Sequence, residues 1–194
     1  MVKAVVMGAA GKMGGRIISL MSSTEGIELC GAVEKAGHPL IGADVGETLG
    51  LGKRGIAISD DLKYYIDGAD VVIDFTHHEA AVDHLKTAVD HGKAMVIGTT
   101  GFTADEMDVI KGLARSTRLV LAPNMSVGVN VMFKVLETVA LTLKDEFDVE
   151  IVEAHHNMKK DAPSGTAMRM AEIIAGALGR DLQRVGVYER KGMI

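Results

Sequence analysis

Three uninterrupted apolar runs, Val71-Val72-Ile73, Met95-Val96-Ile97 and Leu119-Val120-Leu121, constrain this chain more than any other feature. A strand with one wet face alternates apolar and polar residues. A strand without alternation has to be covered on both faces, as in a parallel sheet flanked by helices. Helix-length stretches separate the runs. Val2–Met7 reads as a strand, Lys12–Ser22 as a helix and Ile27–Glu34 as a second strand. Glycine-rich Gly37–Gly55 reads as a long loop, Ile56–Ile58 as a short strand and Leu62–Ile66 as a short helix. Strands at Asp70–Phe75, Ala94–Ile97 and Leu119–Ala122 then alternate with helices at Glu79–His91 and Ala104–Ser116. This order predicts an α/β fold, a doubly wound parallel sheet over residues 1–125.

The pattern changes where Pro123 and Gly128 punctuate the chain, which puts a domain boundary near Asn124–Gly128. Val127–Leu143 reads as a long helix, Asp148–Glu153 as a strand and Ser164–Leu178 as a helix after a histidine-rich loop. Residues 126–194 are expected to form a smaller α+β domain. At 194 residues, 47% hydrophobic and 24% charged, the chain has the composition of a globular protein. Its net charge of −5 disfavours a nucleic-acid partner. The N-terminus enters a strand directly, without a charged leader and cleavage site, and no run reaches ~18 apolar residues. No membrane span is expected. The lone Cys30 excludes an intrachain disulfide and fits a reducing cytoplasm, and its apolar neighbours make it an inert core thiol.

The first strand runs into Gly8-Ala9-Ala10-Gly11-Lys12-Met13-Gly14, a G-x-x-G-x-x-G loop that opens the first helix. Gly8 allows the sharp turn, Gly11 lets backbone approach a pyrophosphate, and Gly14 lets helix and sheet pack closely. The helix N-terminus offers free N–H groups to phosphate. Such a loop alone is often an ordinary turn; its place between strand and helix makes it a Rossmann-like dinucleotide site. Glu34 ends the second strand about 20 residues on, where a carboxylate accepts from ribose hydroxyls, as opposed to being a solvated strand-end acid. Lys35 beside it accommodates a 2′-phosphate, so NADH or NADPH is expected. Gly98-Thr99-Thr100-Gly101 and Ala122-Pro123-Asn124-Met125-Ser126 also follow strands. They suit a nicotinamide ribose and carboxamide, or are simple turns and helix caps.

Glu153–Ala167 carries the chemistry: His155, His156, Lys159, Lys160 and a helix start at Ser164-Gly165-Thr166. Hydroxyls and approachable backbone N–H groups there bind a carboxylate or phosphate. His156 and Lys159 add hydrogen bonds or charge. The sum is a pocket for a small dianion. His155 can act as general acid or base, and Lys159 can donate a proton or steady developing charge. The alternatives are packing histidines and solvated lysines, the latter more apt for Lys160. No cysteine or further ligand stands at zinc spacing, so no metal is expected. His77, His78 and His84 are read as non-catalytic, although His77-His78 can border the nicotinamide.

The segment Glu153–Ala167 resembles the signature E-x-H-H-x-x-K-x-D-A-P-S-G-T-A of the dihydrodipicolinate reductase family. Gly8–Gly14, Glu34, Asp74-Phe75-Thr76, Gly98–Gly101 and Ala122–Ser126 occur in the family's order. The resemblance implies NAD(P)H-dependent reduction of 4-hydroxy-tetrahydrodipicolinate to tetrahydrodipicolinate, with loss of water, in diaminopimelate and lysine biosynthesis. It implies His155 as proton donor or acceptor and Lys159 as proton donor. It matches His156, Gly165 and Thr166 to substrate-carboxylate positions. It matches Gly8, Ala9, Ala10, Gly11, Lys12, Met13, Glu34, Lys35, Gly98, Thr99, Thr100, Ala122, Pro123, Asn124 and Met125 to cofactor positions.

This chain departs from the family in two ways. His78 stands where the family often has proline. The family also continues several tens of residues beyond Ile194, through strands that build a homotetramer. Without that tail the apolar faces of Val149–Val152 and Val127–Leu143 are expected to lack partners. Two other readings compete with the reductase. A semialdehyde or homoserine dehydrogenase shares the scaffold, but the former needs a catalytic cysteine at the substrate site. A non-catalytic or truncated, inactive nucleotide-binding fragment is the alternative from another class.

Overall fold

The computed structural model describes residues 1–159 and 162–189. It divides into two compact units, Met1–Ala122 and Pro123–Ile194. In the first, strands β1 (Val2–Met7), β2 (Ile27–Val33), β3 (Ile58–Ser59), β4 (Val71–Asp74), β5 (Ala94–Ile97) and β6 (Leu119–Leu121) form one sheet in the order β3-β2-β1-β4-β5-β6. Every pairing is parallel. Between them run α1 (Lys12–Met21), α2 (Val45–Thr48), α3 (Lys63–Ile66), α4 (His78–Asp90) and α5 (Ala104–Leu113).

The unalternating runs are explained by cover on both faces. Val5, Met7, Val72, Met95 and Ile97 point into one core with Ala81, Leu85 and Ala88 of α4 and Ile110 of α5. Ala4, Val6, Ala32 and Ile58 point the other way, into a core with Ile18 and Met21 of α1. Burying one such aliphatic side chain contributes ~1.5–3 kcal/mol, and both cores cross β1. Val120 on the edge strand β6 faces out at 55% exposure. Cys30 is half-buried against the first core, and burial pushes its thiol up, which keeps it a poor nucleophile.

Register sets up the site. Met7 pairs with Val33 and with Asp74, Asp74 with Ile97, and Ile97 with Leu121. The next residues of five strands, Glu34, Gly8, Phe75, Gly98 and Ala122, therefore share one level at the carboxyl edge. The strand order reverses between β1 and β4, the switch point at which open α/β sheets bind ligands.

The elements differ from expectation mostly at their ends. The glycine-rich loop contains α2, because Asp44 caps it by accepting from the N–H groups of Gly46 and Glu47. Asp44 also accepts from Arg54 and Gly55, closing the loop on itself. β3 begins at Ile58, two residues later than expected, because Ile56 and Ala57 bond back to that loop.

The second unit holds α6 (Val127–Leu143), α7 (Gly165–Ala177) and α8 (Leu182–Val185). Ser126 caps α6 and Ser164 caps α7, each through its hydroxyl. The strand expected at Asp148–Glu153 does not form among the described residues. A strand requires a neighbour for its backbone groups, and none of the described residues pairs with it. Val152 is 92% exposed, and the i,i+4 row Val127, Val131, Val135 and Val139 on α6 is exposed as well. Lys160, Asp161 and residues 190–194 lie outside the described residues.

Candidate functional site

A crevice of about 840 Å³ opens at the carboxyl edge of the first unit. Gly8, Ala10, Gly11, Lys12 and Met13 line one side, and Glu34 and Lys35 another. Gly8 has φ +65, a left-handed turn that swings the chain off β1. Gly11 is the N-cap of α1 and carries no capping side chain, so the first N–H groups of the helix remain for an anion. A Cβ on Gly14 would lie 2.0 Å from the Gly8 carbonyl oxygen, which is why loop and helix can close so tightly. This is a cradle that fits a pyrophosphate.

Glu34 accepts from the Ala10 N–H at 3.1 Å and from the Lys35 N–H at 3.0 Å. Its carboxylate is thus oriented over the loop. Ala9 is buried beneath the loop. Thr99 is buried and Thr100 exposed after β5. Ala122 bonds through its N–H to Ile97. In the second unit, Asn124 builds its own turn: its Oδ1 accepts from Ser126 N–H, and its carbonyl accepts from the Asn130 amide.

The histidine–lysine segment is organised by a residue to which sequence reasoning gave no role. Glu153 Oε1 accepts from the Ser164 N–H at 2.8 Å, and its Oε2 lies 2.7 Å from His155 Nε2. The Ser164 hydroxyl, then its N–H, then the His155 ring hold the Glu153 carboxyl down to about 2. An ionised carboxylate requires a donor opposite it, which makes Nε2 the protonated nitrogen and leaves Nδ1 as the ring's other polar atom. Ser164 is 4% exposed and its hydroxyl also accepts from the Ala167 N–H. Its contacts are therefore to the helix and Glu153. The helix's first two N–H groups, of exposed Gly165 and half-buried Thr166, have no intrahelical acceptor. His156 is exposed, its carbonyl accepting from the Lys159 N–H at 3.1 Å, and the Lys159 side chain is half-buried.

Because the folded Glu153 sits below its ordinary value of 4.5, its contribution to stability is complete above 4.5 and is lost as pH falls toward about 2. Glu153→Gln is therefore expected to lower the melting temperature at pH 6, with a gap from wild type that narrows steadily as pH falls through that window. A constant gap in a pH series of thermal melts would contradict the assignment.

The remaining histidines have partners. His78 Nδ1 bonds Glu106, the capping-box residue of α5, at 2.8 Å. His77 is exposed and tilts against the His78 ring. His84 Nδ1 lies 2.6 Å from Asp74 Oδ2.

The family model described as dihydrodipicolinate reductase, N-terminus, matches residues 2–125, and that described as dihydrodipicolinate reductase, C-terminus, matches residues 128–193. The chain belongs to the dihydrodipicolinate reductase family. The 4-hydroxy-tetrahydrodipicolinate reductase of Syntrophus aciditrophicus (strain SB) is 60% identical over 194 residues, all of this chain and 72% of the relative. The enzyme of the same name from Geobacter sp. (strain M21) is 54% identical over 193 residues, with the same coverage. Among solved structures, the dipicolinate-bound dihydrodipicolinate reductase from Paenisporosarcina sp. TG-14 superposes with a TM-score of 0.72 at 28% identity. That likeness covers 100% of this chain and 72% of the other. The first of the two family models spans the glycine-loop crevice and the second the histidine–lysine segment.

Proposed function

We propose that this chain reduces 4-hydroxy-tetrahydrodipicolinate to tetrahydrodipicolinate with NADH or NADPH, in diaminopimelate and lysine biosynthesis. The observation that carries the reading is the tie of Glu153 to His155 and to the N-terminus of α7, within a chain of this family. It brings an oriented imidazole and an anion-binding helix end into one segment.

Bound NADH or NADPH supplies the hydride. Gly8, Ala10, Gly11, Lys12 and Met13 seat the pyrophosphate, with the first N–H groups of α1 as its donors. Glu34 takes the adenosine ribose hydroxyls. Lys35 beside it meets a 2′-phosphate, so both nicotinamide cofactors are accepted. Gly98, Thr99, Thr100, Ala122, Pro123, Asn124 and Met125 serve the nicotinamide end. The N–H groups of Gly165 and Thr166, with His156, grip a substrate carboxylate. Ser164 supports them as the cap. The net change consumes one proton and releases the substrate hydroxyl as water. Lys159 donates that proton, and His155, aligned by Glu153, donates or accepts in support.

The chain works in the cytoplasm, and the full-length family assembles as a homotetramer. Membership of the reductase family supports a small-molecule substrate. In steady-state assays with the imine supplied by its synthase, dipicolinate is expected to compete with the imine. Thr166→Pro, which leaves the helix end one N–H short, should weaken that inhibition about tenfold. Inhibition unaltered by Thr166→Pro would remove the helix end from the substrate site.

A further inference from the structure

Asp74 is the only charged side chain among the described residues that is fully buried. It ends β4 at the switch point, level with the apolar residues Met7 and Ile97 on the neighbouring strands. An apolar residue there would extend the core without the cost of desolvating a carboxylate. The contacts of Asp74 indicate what the carboxylate does. Its Oδ1 accepts from the Thr76 N–H at 2.8 Å and from the Thr76 hydroxyl at 2.6 Å, with the Thr99 hydroxyl at 3.5 Å. Its Oδ2 meets His84 Nδ1. Its carbonyl accepts from the Gly98 N–H at 2.9 Å. One residue thereby ties the turn after β4, the turn after β5 and helix α4 together.

Thr76 in turn touches the glycine loop. A Cβ built on Gly8 would stand 2.9 Å from Thr76 Cγ2. Thr76 and His84 both line the crevice, and the His84 side chain is 23% exposed there. With Nδ1 engaged by Asp74, the imidazole is held in one orientation at the crevice wall.

We propose that Asp74 and His84 are positioning residues for the dinucleotide. They fix Thr76 against Gly8, so that the turn after β4 and the glycine loop form one preformed seat. The proposal rests on the reading of this crevice as the cofactor site. Preorganisation of this kind acts on affinity, because ordering the turn is complete before the ligand arrives.

The test is NADH titration, followed by nicotinamide fluorescence, on the 194-residue chain and on His84→Ala, His84→Asn and Thr76→Val. The Kd is expected to rise about tenfold in His84→Ala and in Thr76→Val. His84→Asn sets an amide nitrogen near the imidazole Nδ1 position and is expected to recover most of the loss. A merely structural role would lower the melting temperature without this pattern in Kd. Wild-type Kd in folded His84→Ala and Thr76→Val would overturn the proposal, as would His84→Asn binding no better than His84→Ala. If His84→Ala does not fold, Thr76→Val and His84→Asn decide between the same outcomes. A wild-type chain that binds no NADH would instead overturn the reading of the crevice itself, and the positioning role with it.

Discussion

His155→Ala and Lys159→Ala are each expected to lower kcat by about a hundred- to ten-thousandfold, the usual cost of removing a proton-transfer group. Their NADH Kd should stay at the wild-type value, because neither residue lines the crevice of the first unit. Lys159→Arg separates the two roles open to the lysine. Arginine keeps the positive charge but does not give up a proton near neutrality. Turnover by Lys159→Arg should therefore remain as low as in Lys159→Ala. Wild-type turnover in that variant would reduce Lys159 to a source of charge. Steady-state kinetics beside NADH titration checks all three variants.

Gly14→Ala is expected to do the opposite, disabling the cofactor end. The added Cβ meets the Gly8 carbonyl oxygen at 2.0 Å, the Gly8 carbonyl carbon at 2.7 Å and the Ala9 Cα at 3.1 Å. All three are backbone atoms, so no side chain can swing aside. The loop has to shift from the start of α1, at ~1–3 kcal/mol of stability. Displacing the phosphate-facing N–H groups should raise the NADH Kd about a hundredfold. Gly112→Ala is the control. It also lies in a helix, but nothing stands within 4 Å of its Cβ, so a gain of ~0.5–1 kcal/mol is expected. Melting temperature should fall in Gly14→Ala and rise in Gly112→Ala, while the NADH Kd should rise in Gly14→Ala alone. Unaltered NADH binding in Gly14→Ala would contradict the role given to the loop.

The parallel sheet was legible because buried strands leave a plain trace: Val71-Val72-Ile73 and its counterparts do not alternate. The helices at Val127 and near Ser164 were legible as apolar runs, although Ser164 proves to be the cap and not the first helical residue. Short elements were less so. Four residues of α2 carry too little periodicity to stand out from glycines, and what makes them a helix is the Asp44 cap. The strand expected at Asp148–Glu153 shows the limit of pattern reading, because apolar character gives propensity while pairing needs a second segment. In the candidate site, the glycine loop was legible from its spacing and His155 from the signature that surrounds it. The parts played by Glu153, Asp74 and His84 were not. Their roles arise from partners at a distance, Ser164 eleven residues from Glu153 and His84 ten from Asp74. A charged residue at the end of an otherwise apolar run, as in Val71-Val72-Ile73-Asp74, is a signal in the sequence that was not read for the second of these clusters.

The most direct test of the reductase reading is oxidation of NADH and NADPH by the purified 194-residue chain, with the imine generated in place by its synthase. The predicted result is oxidation of both cofactors that depends on the imine and falls at least about a hundredfold in His155→Ala. Tight NADH binding without any imine-dependent oxidation would contradict it and leave a cofactor-binding fragment in place of a reductase.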